Sequence, residues 1–380
     1  MSVGVDFLAD EYCKSGCFVF HRNFLHWISR MDVPEKYYIF VYDGEYKQYK
    51  QFIHPYSDSV KLISLGRNRA SLPLRLFDQH VRVPFLMKKL GVDRGFSDNI
   101  LPICSPPEVR WTFRVLITQQ FHSESDDKLL RKSYRSWTSR YACRRAKMVV
   151  PNSRHTLKEI QKYCAVPDNK VKLIGEAVDH EIYYPLTDKA QVQESVKQMF
   201  GLHRPYLMQV SGYYDHNNPQ LSIRALKWLH DRQMDLDLVL VGADPRGNRQ
   251  RYETLARELG VGDYVKFLQF QVPNNLRLLY NKCLCLLYPS TSETFGIPPL
   301  EAMACGIPVV ASNQSSVPEV VGGAGVIVDP YDLEAFGAAI MAVVKKPAWH
   351  SELVARGLRH AKGYRWEEII AQLHDTIIAA

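Results

Sequence analysis

The sequence predicts an α/β protein of two doubly wound, Rossmann-like domains, and three observations predict it. The chain has 380 residues, enough for two domains of ordinary size. Short, continuously apolar segments alternate with amphipathic ones from end to end, the pattern of parallel sheets covered on both faces. The alternation comes in two series, interrupted at EIYYPLTDKA (181–190), where Pro185 and polar residues break it.

The first series opens on SVGVDFL, passes SGCFVF, and continues through the strand candidates YYIFVY, VKLIS, FRVLIT, MVVPNS and VKLIG. The second runs YLMQVSG, LDLVLVG, VKFLQF, CLLYPS, PVVAS and GVIVDP, with amphipathic segments such as LSIRALKWLHDRQM and DLEAFGAAIMAVVKK between them. A last helical stretch, RWEEIIAQLHDTIIA, covers 365–379.

Composition narrows the class. Hydrophobic residues at 46% and charged residues at 23% fit a soluble globular protein. There is no apolar run long enough to cross a membrane and no basic leader at the N-terminus, so neither a spanning helix nor a signal peptide is expected. Eight cysteines (13, 17, 104, 143, 164, 283, 285, 305) form no CxxC pair, which points to reduced thiols in a cytoplasmic protein and argues against structural zinc. The net charge of +8 is lopsided. Residues 1–190 hold 30 Lys+Arg against 21 Asp+Glu, an excess of nine, and the rest hold 18 against 19. Two basic segments stand out: KLLRKSYRSWTSRYACRRAK (128–147), with Tyr134, Trp137 and Tyr141, and LPLRLFDQHVRVPFLMKKL (72–90), with Arg75, Arg82, Lys88 and Lys89. Either suits an anionic membrane surface or an anionic acceptor, and either is equally read as a solvated helix face.

The chemistry concentrates in SETFGIPPLEAMACGIPVVAS (292–312). CLLYPS reads as a buried strand and TSETFG as the loop leaving its carboxyl end, where open α/β sheets bind ligands. Gly296 permits a backbone bend closed to other residues. Pro298 and Pro299 suit a first helical turn, and Gly306 a helix end. The amides of that first turn are expected to seat a phosphate, with Glu301 gripping ribose hydroxyls and Glu293 meeting sugar hydroxyls. Asp235 and Asp237 spell a D-x-D, but they precede the strand LVLVG and read as a polar turn, so no metal is expected.

The segment PSTSETFGIPPLEAMACGIPVVAS resembles the signature of the family 4 (group 1) glycosyltransferases of GT-B fold, whose hallmark is E-x7-E. The resemblance extends to VVPNSRHTLKEI, KVKLIGEAVDHEIYYP, LVLVG, YVKFLQF and PEVVGGAGVIVDP; it is dense from residue 149 onward and thin between about 40 and 115. It implies two Rossmann-like domains facing across a cleft. Residues 1–185 would bind the acceptor, with helix 365–380 packing back on them, and 186–364 would bind a nucleotide sugar. It implies Glu293 and His122 as catalytic residues. Donor contacts would come from Glu301, Thr294, Phe295, Gly296 and Ile297, from Gly212, Tyr213 and Asn218 of the loop VSGYYDHNNPQ, from Gly16 in KSGCF, and from Gln269. The family usually places Arg and Lys where this chain has Tyr213 and Asn218, and His-Asp where it has Gln119-Gln120, with His122 two residues on. Arg246 and Arg249 are the candidate replacements for the two cations, against their reading as ordinary loop arginines.

The function implied is sugar transfer with retention of configuration, without metal or other cofactor. The donor is a nucleotide sugar and the acceptor a glycan or lipid-linked saccharide in polysaccharide assembly. A cytoplasmic enzyme peripheral on the inner membrane face is expected, and nucleic acid is not an expected partner. A sugar-nucleotide epimerase or phosphorylase on the same fold, and a nucleotide- or carbohydrate-binding relative with little catalysis, stay open.

Overall fold

The computed structural model describes residues 1–8, 16–66, 71–98, 101–116, 129–244 and 246–380. It contains two compact units, Met1–Glu176 with Trp366–Ala380, and Ala177–Arg365.

The first unit is built on six parallel strands, β1 (Ser2–Asp6), β2 (Lys36–Val41), β3 (Val60–Ser64), β4 (Arg94–Ser97), β5 (Arg110–Val115) and β6 (Met148–Pro151), in the order β3-β2-β1-β4-β5-β6. The register sets Asp6 opposite both Phe40 and Ser97, at the carboxyl end of the middle strands. On one face the helices Gly16–Ile28 and Trp366–Ala379 pack together, Phe20 lying 6.1 Å from Trp366 and the Tyr37 hydroxyl bonding His374 Nδ1 at 2.6 Å. On the other, Val83, Met87, Trp111, Val149 and Ile160 form a core with the helices Val83–Lys89 and Arg154–Cys164. Each fully buried aliphatic side chain of this kind contributes about 1.5–3 kcal/mol. Ser153 starts the helix Arg154–Cys164 by accepting the Thr156 amide at 3.0 Å.

The second unit repeats the plan with β7 (Tyr206–Val210), β8 (Asp237–Val241), β9 (Val265–Leu268), β10 (Cys285–Tyr288), β11 (Val309–Ser312) and β12 (Val326–Val328), in the order β12-β11-β10-β7-β8-β9. Each sheet therefore starts at its centre, winds one way for three strands, and returns to wind the other way. In the second sheet β7 leads toward β8 and β10 toward β11, so the chain leaves their carboxyl ends in opposite directions. That divergence opens the crevice in which doubly wound sheets bind ligands.

Two expectations need correction, and one strand went unread. The division falls after Glu176, not after residue 185, because 177–185 packs on the second unit. The Leu186 amide bonds Asn281 Oδ1 at 2.7 Å, Asn281 Nδ2 donates to the Tyr184 carbonyl at 3.1 Å, and Tyr183 meets Tyr280 edge-on. The segment VKLIG forms no strand, only an isolated bridge between Val149 and Val171. Strand β4, RGFS, has no counterpart in the sequence reading. Among the described residues no helix is long and apolar enough to cross a membrane.

Candidate functional site

The signature segment lies where the topology opens the second sheet. β10 is buried throughout and delivers Ser290–Ile297 to the crevice beside the Ser211–Asn218 loop of β7. The two loops are joined. The Thr291 amide donates to the His216 carbonyl at 2.7 Å, and the Ser290 hydroxyl to the same carbonyl at 3.0 Å. Gln209 Nε2 reaches the Asn217 carbonyl at 2.8 Å, and Asn217 Nδ2 the Gly212 carbonyl at 2.7 Å.

Glu293 is half-buried and held from three sides. The Tyr288 hydroxyl donates to its Oε1 at 2.8 Å. Its amide donates to Ser315 Oγ at 2.9 Å, and the Ser316 hydroxyl lies 3.0 and 2.9 Å from the Glu293 and Phe295 carbonyls. Ser315 takes φ of 52°, a left-handed conformation uncommon outside glycine, which turns the β11 loop back toward Glu293. Gly296 has φ of 96°, and a Cβ there would stand 3.2 Å from the Tyr288 ring and hydroxyl, so the same tyrosine positions both Glu293 and the bend.

Glu301 is buried on the first turn of the helix Pro298–Ala304, eight residues on in sequence, with the Tyr280 hydroxyl donating to its Oε2 at 2.9 Å. Burial and the Glu301 charge push the Tyr280 phenol well above its ordinary range, so it stays a donor. The expected phosphate seat is corrected here. Pro298 and Pro299 carry no N–H, and the Leu300 and Glu301 amides both turn back to the Ile297 carbonyl, at 2.9 and 3.2 Å. The amides of Phe295, Gly296 and Ile297, in the loop and already among the expected donor contacts, make no hydrogen bond with described residues.

The remaining expected residues fare unequally. Gly212 is in the crevice loop, and a Cβ there would meet the Tyr214 ring at 2.7 Å. Tyr213 is a correction: its side chain is 3% exposed in the core, and its hydroxyl sits 2.9 and 3.0 Å from the Leu240 and Leu268 carbonyls, turned away from the crevice. Asn218 is also structural, with φ of 53° and its Nδ2 donating to the Pro330 carbonyl at 3.2 Å, where it begins the helix Pro219–His230. Gln269 is exposed beyond the end of β9. Gly16 begins the helix Gly16–Ile28 in the other unit. His122, with Gln119 and Gln120, lies outside the described residues. Arg249 is paired with Glu253 at 2.6 Å, whereas Arg246 stands over the Tyr214 ring at 5.4 Å, on the crevice loop. Asp237 opens β8 with Asp235 just before it, both near Arg204, at the opposite edge of the sheet from Glu293. Sequence reasoning missed Tyr280, Tyr288, Ser290, Ser315 and Ser316; the serine-rich run ASNQSSVPEV was the available signal. A groove of about 670 Å³ lined by Gln220, Arg224, Arg251 and Tyr252 contains none of the expected residues.

Residues 192–360 match the family model described as glycosyl transferases group 1. The O-antigen chain mannosyltransferase B of Escherichia coli is 42% identical over 109 residues, 29% of this chain and 29% of that protein. The D-inositol 3-phosphate glycosyltransferase of Corynebacterium glutamicum is 26% identical over 234 residues, 60% of this chain and 56% of its own. The matches thus span about half or less of the length of these curated relatives. Among solved structures, Anabaena HepE in complex with UDP and glucose superposes with a TM-score of 0.76 at 16% identity over all of both chains. Such likenesses extend over the whole chain and establish the fold.

Proposed function

We propose that this chain, whose residues 192–360 match the group 1 glycosyl transferase model and whose fold is like that of HepE, transfers a sugar from a nucleotide-sugar donor to an acceptor hydroxyl. The observation that carries the reading is the placement of Glu293, Glu301 and the unbonded loop amides 295–297 together at the switch point of the second sheet. Loop amides and carboxylates divide the work there. The amides suit the diphosphate, Glu301 the ribose, and Glu293 the reacting sugar. The named relative that acts on O-antigen chains supports a glycan or lipid-linked acceptor in polysaccharide assembly. Retention of configuration and independence of metal belong to the same proposal, since a departing diphosphate oxygen can take the acceptor proton on the face it leaves.

The test is a thermal-shift screen of UDP-, GDP-, dTDP- and ADP-sugars. A ligand at 100 times its dissociation constant stabilises by about 2.7 kcal/mol, so one nucleotide should stand out. Glu301→Gln keeps an acceptor for Tyr280 and the helix shape but loses the charge-assisted grip on two hydroxyls, worth about 1.5–3 kcal/mol, and should weaken donor binding roughly 10- to 150-fold. An unchanged shift in this variant refutes the ribose assignment.

One observation favours a second reading, a nucleotide-binding relative with little catalysis: the two positions that carry cations in the family are occupied by side chains committed to the fold, Tyr213 and Asn218. A donor shift without nucleotide release on any acceptor selects that reading.

The proposal extends to an anionic membrane face on the first unit. Leu74, Phe77, Val81 and Phe85 form an exposed stripe along the continuous helical run Leu72–Lys89, with Phe77 at 51% and Phe85 at 67%. Tyr134 of helix Leu129–Arg145 joins that run through His80 at 3.1 Å, Trp137 one turn on is exposed, and the run itself ends in the exposed Lys88 and Lys89. Each cation near such a surface contributes about 1 kcal/mol. The protein is expected to co-sediment with vesicles of phosphatidylcholine and phosphatidylglycerol at 3:1, and Phe77→Ser with Phe85→Ser should cut the bound fraction at least severalfold. Equal sedimentation of the double variant ends this part of the proposal.

A further inference from the structure

The groove of about 670 Å³ on the second unit has the size of a small-molecule site and contains none of the donor-contact residues. Gln220 and Arg224 line it from the helix Pro219–His230, and Gln250, Arg251 and Glu258 from the helix Arg249–Glu258. Among the described residues, the side chains of Gln220, Arg224, Gln250 and Glu258 make no hydrogen bond or ion pair, and Gln220 Oε1 is buried in that state. Arg251 gives Nη2 to Asp215 Oδ1 at 2.5 Å and to the Tyr252 hydroxyl at 3.3 Å, which leaves its Nε and Nη1 to a ligand.

The charges are sorted along the groove. β7 and β8 are parallel, so the helices that leave them run in the same direction. Arg224 and Arg251 therefore share one half, being five and two residues into their helices. Glu258 closes the other half, seven residues or about 10 Å beyond Arg251. Two guanidinium groups suit a phosphate, which each can grip through paired N–H bonds. A second anionic group would meet Glu258, whereas hydroxyls would donate to it. A molecule with one phosphate and several hydroxyls satisfies both halves at once.

We propose that this groove binds a monophosphorylated sugar, with its phosphate on Arg224 and Arg251 and its hydroxyls on Gln220, Gln250 and Glu258. The consequence for transfer rests on the glycosyl-transfer reading. Asp215, which also accepts the Tyr252 hydroxyl at 2.9 Å, begins the turn Asp215–Asn217, and the His216 carbonyl of that turn holds the Thr291 amide and the Ser290 hydroxyl of the donor loop. A phosphate on Arg251 sets a second negative charge beside Asp215 and draws the guanidinium away from it. Sugar phosphate in the groove therefore loosens the donor loop and weakens donor binding, and donor binding weakens the sugar phosphate by the same factor.

The test is titration calorimetry on the full chain with the 1- and 6-phosphates of glucose, mannose and galactose, beside inorganic phosphate and the methyl α-glycosides of the same sugars. At least one sugar phosphate should bind, inorganic phosphate more weakly, and the neutral glycosides not at all. Arg224→Gln should weaken the sugar phosphate roughly tenfold or more, with the melting temperature and the nucleotide-sugar thermal shift unchanged, because Arg224 holds nothing else. Glu258→Gln should weaken the sugar phosphate severalfold and leave inorganic phosphate as it was. Saturating sugar phosphate should weaken the nucleotide sugar severalfold in the parent chain and not in Arg224→Gln. Binding of no sugar phosphate, binding indifferent to Arg224→Gln, or binding lost in Glu301→Gln instead overturns the site. Binding through Arg224 that leaves donor affinity unchanged overturns the coupling through Asp215. A parent chain that binds sugar phosphate and shows no nucleotide-sugar shift overturns the glycosyl-transfer reading and leaves the groove standing.

Discussion

Glu293→Gln is expected to lower kcat by about 10²–10³ while leaving the nucleotide-sugar thermal shift in place. The carboxylate is fixed by the Tyr288 hydroxyl at 2.8 Å, and its backbone by Ser315 and Ser316, so it needs no reorganisation when charge develops. As the bond to the diphosphate breaks, the sugar ring becomes cationic, and a preoriented carboxylate stabilises that state more than the ground state. The amide has the same shape and none of the charge. Tyr288→Phe removes only the anchor and should cost far less, about tenfold, with KM for the donor unchanged. Steady-state release of the nucleotide diphosphate from the donor identified by thermal shift measures both. If Glu293→Gln stays within threefold of the parent kcat, the residue belongs to the scaffold rather than to the chemistry.

How far the sequence could carry this picture depends on what each residue's neighbours are. In the second unit all six strands are predominantly apolar runs, and each appears where the pattern puts it. The two glutamates were legible because proline, glycine and an apolar strand bracket them locally. Strand β4 was not. Gly95 sits in it because the Trp111 ring occupies the place of a Cβ, at 2.5 Å, and Trp111 is on the neighbouring strand. A requirement set by a residue sixteen positions away leaves no local mark, and RGFS lacks the β-branched run that marks a strand. Tyr213 failed for the related reason that alignment to a family position says nothing about direction. Its hydroxyl finds two strand-end carbonyls in the core, and the crevice loses the donor expected there. The helix start offers no free amides because the same prolines that favour it also remove its first N–H groups. Leu8 and Gln79 are 71 positions apart and meet only through topology.

The other large effect concerns the place where the chain leaves the first unit. Glu176, its last residue before the second, is buried against Arg114 of β5, with Nη2 to Oε1 at 2.9 Å, and accepts Asn152 Nδ2 at 2.9 Å on the same oxygen. The guanidinium lies over the Phe20 ring at 3.7 Å, and among the described residues neither of its terminal nitrogens finds a well-aligned hydrogen bond, so the pair is held by charge and stacking more than by directed bonds. Charge without good geometry barely offsets desolvation, whereas a stranded buried cation is costly. Glu176→Ala should therefore destabilise the first unit by about 3–5 kcal/mol, a fall of roughly 6–20 °C in its melting transition. Arg114→Met combined with Glu176→Leu should recover most of that loss, because no charge is left uncompensated. Calorimetry on the single and double variants separates the outcomes: a double variant as unstable as Glu176→Ala would mean that the ion pair itself, and not the avoidance of a lone buried charge, secures this end of the sheet.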